Sequence, residues 1–114
     1  MRDVLIAGGG IAGLAAAVAL ARTGSRIVLR ERATDLRAFG AGLQVSRNGM
    51  AVLDGLGLGS AVRGQSIGCT AVVAMDAVNG RSIARFAIPD PDNWRFIHRG
   101  DLVTCLVAVA QAAG

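Results

Sequence analysis

Lysine is absent from this 114-residue chain, histidine occurs once, and the two cysteines stand far apart. Each shortage removes a class of function. All 12 basic residues are arginines, scattered among the 8 acidic ones without interleaved aromatics, so the formal charge of +4 describes a dispersed surface. No nucleic-acid partner is expected from such a pattern. Cys69 and Cys105 fall in no C-x-x-C or Cys/His spacing, so no metal centre is expected. Both read as free thiols of a reducing compartment. His98 has no serine or cysteine nucleophile pattern near it, which excludes a triad argument and leaves it a structural or supporting role. Low-complexity linkers and internal repeats are also missing.

What the chain has in quantity is apolar surface. Hydrophobic residues make up 53% and the mean hydropathy is +0.50, so a large apolar area must be buried within one domain or against other protein. Val4 to Ala21 carries no charge and ends in Ala19-Leu20-Ala21, a pattern close to a secretory signal. Three glycines interrupt the apolar run, Asp3 follows Arg2, and the periodic pattern continues through Arg22. The segment therefore reads as strand, turn and helix. No membrane partner is expected, and the expected location is cytoplasmic.

The turn is the most informative feature. Gly8, Gly10 and Gly13 stand in G-x-G-x-x-G spacing after the apolar run Val4–Ala7 and at the start of a helical pattern beginning at Ile11. In a dinucleotide-binding βαβ unit the first glycine permits the tight turn, the second lets the backbone approach a pyrophosphate, and the third lets helix and strand pack closely. Free N–H groups at the helix start then face an anion, with the helix dipole behind them. The helical pattern runs to Thr23, Gly24 supplies a stop, and 26–31 reads as the next strand. Glu31 follows Gly13 by eighteen residues, near the distance at which an acidic side chain accepts hydrogen bonds from a ribose 2′-hydroxyl.

Beyond Glu31 the pattern leaves that of a plain nicotinamide dehydrogenase. A loop from Arg32 to Gly42 ends in a Gly40-Ala41-Gly42 turn, and Ser46 is placed to cap a short helix running towards Leu53. That helix is expected to stop in the segment 55–59. Residues 70–77 and 82–88 flank Asn79-Gly80, a signal for a tight hairpin turn. Pro89 and Pro91 break the chain, 94–97 reads as a short strand, and 100–113 reads as a helix that is apolar nearly all round. The expected fold class is α/β: a Rossmann-like βαβ unit with an inserted antiparallel β-hairpin.

Three blocks carry a specific resemblance. They are Val4 to Leu14 with Glu31-Arg32, then Phe39-Gly40-Ala41-Gly42-Leu43-Gln44 leading to Asn48-Gly49-Met50, and Ile97-His98-Arg99-Gly100-Asp101-Leu102. The chain resembles the N-terminal part of the FAD-dependent aromatic-ring hydroxylases, the single-component flavoprotein monooxygenases that include salicylate and 6-hydroxynicotinate hydroxylases. The resemblance implies that Gly8, Gly10, Ala12 and Gly13 line the FAD pyrophosphate, that Glu31 holds the adenosine ribose, and that Arg32 lies beside the adenine. It implies that Gly42 and Leu43 pass the flavin end and that Arg99 contacts FAD oxygen atoms, a task suited to a guanidinium. No residue of this chain is assigned a catalytic role. Two positions depart from the pattern: Gln44 stands where some relatives carry a histidine near substrate and flavin, and Arg47 replaces a usual proline.

In that family NADH or NADPH reduces FAD, and oxygen is then activated and transferred to a small aromatic substrate. The resemblance implies a longer parent, so the fold is expected to be incomplete relative to the family's. The parts expected are a βαβ unit over 3–31, a flavin-side loop and short helix over 32–59, a hairpin over 70–88 and a final strand and helix over 94–113, with the substrate domain absent. As an isolated piece it is expected to be inactive, with an exposed apolar surface for a complementary chain or self-association. Two alternatives stay open: a small NAD-dependent oxidoreductase domain, and a non-catalytic subunit of a split flavoprotein.

Overall fold

The structure, a computed structural model, describes residues 1–36 and 40–114. Arg37, Ala38 and Phe39 lie outside the described residues, and with them Phe39 of the second block. The first strand, β1 (Asp3–Ala7), and the next, β2 (Arg26–Arg30), pair in parallel from Asp3 opposite Arg26 to Ala7 opposite Arg30. The helix α1 (Ile11–Ala21) crosses between them. Its alanine-rich sequence favours helix, and Leu14, Ala17 and Val18, at i, i+3 and i+4, form its buried side. Gly24, at φ +80°, turns the chain back towards β2 by donating its N–H to the Ala21 carbonyl at 3.0 Å.

A second, antiparallel sheet has the order β3-β7-β4, from β3 (Gly42–Val45), β4 (Ile67–Gly68) and β7 (Arg95–His98). Between β3 and β4 lie α2 (Arg47–Gly55) and α3 (Gly59–Gly64). Strands β5 (Ala71–Met75) and β6 (Ser82–Ala87) form the separate hairpin, and a turn of 3₁₀ helix at Pro91–Asn93 leads into β7. The last helix, α4 (Arg99–Ala112), packs along α1.

Several local expectations change. Gly42 begins a strand instead of closing a loop, because it pairs with His98, and β4 and α3 have no counterpart in the sequence reading. Strands of four and two residues and a helix of six are too short to show a period. Ser46 occupies the N-cap position of α2, but its hydroxyl makes no bond to the helix backbone and pairs instead with the Asn48 side chain. The hairpin turn is also wider than two residues: the Asp76 carboxylate accepts the N–H groups of Val78 and Asn79 at 2.8 and 3.2 Å. Gly80, at φ +70°, completes it.

The core lies where α1, α2, α3, β7 and α4 meet. Met50, Leu58, Val62 and Leu106 are fully buried there, joined by Leu14, Leu53, Ile97 and Leu102. Cys69 and Cys105 are free and buried, and burial pushes the Cys105 thiol up. The two-stranded parallel sheet is covered on one face only: Leu5 is 70% exposed and Val28 44%. Parallel sheets normally bury both faces. The hairpin likewise exposes Ile83 and Phe86, at 70% and 61%. Among the described residues no helix is long and apolar enough to cross a membrane.

Candidate cofactor site

The site is built on the connection between β1 and α1. Gly8 has φ +107°, a left-handed conformation that disfavours any side chain, and its N–H donates to the Arg30 carbonyl at 2.7 Å. A Cβ on Gly13 would lie 1.9 Å from the Gly8 carbonyl oxygen, so the helix approaches the turn as closely as only glycine allows. A Cβ on Gly8 or Gly10 would meet nothing within 4 Å. Open space therefore lies beside the turn, where the first N–H groups of α1 lack intrahelical partners. Gly10 is the N-cap, with no side-chain cap bond, and Ala12 is exposed in the first turn.

At the end of β2, the Glu31 carboxylate accepts the Gly9 N–H at 2.6 Å and the Ala33 N–H at 2.8 Å. These two bonds, Ala33 first, hold the Glu31 carboxyl below its ordinary value of 4.5, against a smaller opposing effect of desolvation. The group stays exposed and ionised, with lone pairs left for a hydroxyl donor. Arg32 beside it is exposed and is not among the residues lining the groove described next.

That groove, of about 200 Å³, is lined by Gly9, Gly10, Glu31, Ala33, Asp35, Leu36, Arg99 and Val103. Arg99 comes from the far end of the chain. It is the first residue of α4, directly after β7, and its exposed side chain faces the glycine turn across the groove. Among the described residues it forms no ion pair, with Asp101 or any other group. The Gly40–Gly42 segment flanks its stem: the Arg99 N–H donates to the Ala41 carbonyl at 3.4 Å, and a Cβ on Gly40 would lie 3.4 Å from Arg99 Cδ. Gly42 pairs with His98 beside the same site. Leu43 pairs with Ile97 and, partly buried, packs against the hydrophobic core.

Gly9, Ala33, Asp35, Leu36 and Val103 were not among the residues expected at the site. Gly9 had a signal, being the middle of three glycines: a Cβ there would lie 2.8 Å from Leu36 Cδ2 and 3.1 Å from Glu31 Cβ. Val103 had another, standing one helical turn after Arg99. Among the described residues no cluster of three or more His, Cys, Asp or Glu is placed to hold a metal.

An anion-ready helix start, a carboxylate for hydroxyls and a guanidinium on one groove fit the adenosine-pyrophosphate part of a dinucleotide. The groove's volume suits only part of such a ligand. Residues 1–105 match the family of FAD binding domains. The chain belongs to that family. Its kinship is with the FAD-dependent aromatic hydroxylases: it is 38% identical to a 3-hydroxybenzoate 6-hydroxylase of Polaromonas naphthalenivorans, over 97% of this chain and 29% of that protein. It is 37% identical to a 3-amino-4-hydroxybenzoate 2-monooxygenase of Streptomyces cremeus, over 98% of the chain and 30% of the relative. Among solved structures, a tetrameric form of 2-methyl-3-hydroxypyridine-5-carboxylic acid oxygenase superposes with a TM-score of 0.92 at 36% identity, covering 100% of this chain and 30% of the other. The chain thus spans about 30% of the length of these FAD-domain relatives.

Proposed function

We propose that this chain supplies the adenosine and pyrophosphate end of the FAD site of a monooxygenase acting on a small aromatic compound. One observation carries the reading: a single groove joins the β1–α1 glycine turn and Glu31 to Arg99, sixty-eight residues further along the chain. A plain βαβ unit needs no such arginine. In this reading the first N–H groups of α1, with Gly8, Gly10, Ala12 and Gly13 around them, bind the pyrophosphate. Glu31 accepts from the ribose, Arg32 flanks the adenine from outside the groove, and Arg99 donates to cofactor oxygens. The backbone of Gly42 and Leu43 leads towards the flavin end.

Bound FAD supplies the redox chemistry, taking electrons from NADH or NADPH and activating oxygen for transfer to the ring. This chain's residues bind and orient the cofactor, and none of them is assigned the hydroxylation itself. The apolar faces around Leu5 and Val28 and around Ile83 and Phe86 are surfaces for further protein, including any substrate-covering part or complementary chain. Two unpaired buried thiols suit a reducing compartment, and we place the protein in the cytoplasm.

The test is a titration of the purified 114-residue chain with FAD and, separately, with NAD, read by the flavin spectrum, calorimetry and size-exclusion chromatography. Saturable binding of FAD in preference to NAD is expected, weakened about tenfold in Arg99→Met, as for a lost charge-assisted hydrogen bond. Preference for NAD, or indifference of FAD binding to Arg99, would overturn the reading.

A further inference from the structure

Arg95 is the charged side chain buried among the described residues, only 8% exposed, and the cofactor groove makes no use of it. It stands at the start of β7, the central strand of its sheet, with Ile97 on the same inward side and Phe96 and His98 on the outer one. Its guanidinium reaches four acceptors. Nε donates to Ser66 Oγ at 2.6 Å, and Nη2 donates to the carbonyls of Ser66 and Arg63 at 2.9 and 3.3 Å. Nη1 meets the exposed Asp92 carboxylate at 3.4 Å. These acceptors lie on two stretches of chain: 63–66, which joins the end of α3 to β4, and the 3₁₀ turn before β7. Arg63 ties the first of these stretches to the 3₁₀ turn and to α2, donating to the Asp92 carbonyl at 3.2 Å, Asn93 Oδ1 at 2.7 Å and the Asp54 carboxylate at 2.6 Å.

A buried guanidinium is expensive to desolvate, and an apolar side chain of similar volume often serves stability equally well. What the fork adds is direction, because its donors accept one arrangement of carbonyls and hydroxyl. Direction matters at this point of the chain. β7 has four residues, pairing with β3 through all four and with β4 through only two, so both of its ladders are short ones for specifying register. A slip by one residue would turn Arg95 and Ile97 outward and carry Arg99 along the strand by about 3.3 Å, out of step with the glycine turn.

We propose that Arg95 is a positioning residue: its buried hydrogen-bond fork sets the register of β7 and thereby sets Arg99 in the cofactor groove. The inference rests on the reading of Arg99 as a cofactor contact, and the test separates the two. FAD affinity is measured for the wild-type chain, Arg95→Met, Arg99→Met and the double variant. About a tenfold loss is expected for each single variant, the size of a lost charge-assisted hydrogen bond, and no further loss in the double, because Arg95 acts through Arg99. Additive losses, or a loss confined to Arg99→Met, would overturn the positioning role while leaving the FAD reading intact. Indifference to Arg99→Met would overturn the FAD reading itself.

Hydrogen exchange on the ligand-free chain decides the register independently. Arg95→Met and the milder Ser66→Ala are expected to speed exchange at 96–99, including the Arg99 N–H held by Ala41, while β1 and α1 keep their protection. Unchanged exchange at β7, or uniform acceleration along the chain, would refute the proposal.

Discussion

The Gly9 N–H and the Glu31 carboxylate meet at 2.6 Å, so the acidic residue at the end of β2 holds the glycine turn as well as facing the groove. A second bond, from the Ala33 N–H, fixes the carboxylate from its own side of the groove. One side chain thereby links the two βα and ββ connections that a dinucleotide must bridge. Replacing it tests both duties together. Glu31→Ala is expected to weaken FAD binding by about tenfold to a hundredfold, the range for losing charge-assisted hydrogen bonds, and Glu31→Gln by less because an amide oxygen still accepts. Titrations of both variants with FAD check the order.

Gly13 tolerates no side chain. The 1.9 Å approach of its would-be Cβ to the Gly8 carbonyl oxygen is to backbone, which can yield only by moving α1 away from the turn. Gly13→Ala is expected to cost about 1–3 kcal/mol of stability, as overpacking does. FAD affinity is expected to fall as well, because the first N–H groups of α1 move with the helix. Denaturant unfolding and FAD titration of the same preparation measure the two effects.

The pH dependence has a definite sign. Backbone N–H groups hold the Glu31 carboxyl below its ordinary value of 4.5, and the Arg63 side chain holds Asp54 below 3.8. Groups with lowered folded values contribute stability above the unfolded values and lose it as pH falls through the folded ones. The melting temperature is expected to decline from about pH 4.5 downward, more gently in Glu31→Gln and Asp54→Asn than in the wild type. A melting series in dilute buffer reads this directly, and added salt should reduce the Asp54 share, since its pair with Arg63 is partly exposed.

Leu106 connects the site-bearing helix to the core. It is fully buried on α4, two turns beyond Arg99, in the cluster with Leu14, Met50 and Leu58. Leu106→Ala is expected to destabilise the chain by about 2–5 kcal/mol. At 29% to 30% of its relatives' length the fold leaves large apolar faces uncovered, so such a loss should show as aggregation in size-exclusion chromatography.

The βαβ unit was legible in the residues because its determinants are local. An apolar run, a helical pattern, a stop at Gly24 and three spaced glycines act within about thirty residues; Gly8 takes a positive φ and Gly13 makes a close approach that only glycine allows. Fold class, the anion-ready turn and the acidic residue closing the unit all follow from the chain read in order. Other features follow only from folding. β3 and β4 are strands because β7 lies between them, and Gly42 and Gly68 have no strand preference of their own. Arg99 reaches the glycine turn because β7 leads into α4 and α4 packs on α1, and Leu43 pairs with Ile97 beside the core. The burial of Arg95 among acceptors from two stretches of chain has no trace in spacing or composition. Contacts at long sequence separation are set by which apolar faces find each other, and that is a property of the packed chain, not of any window within it.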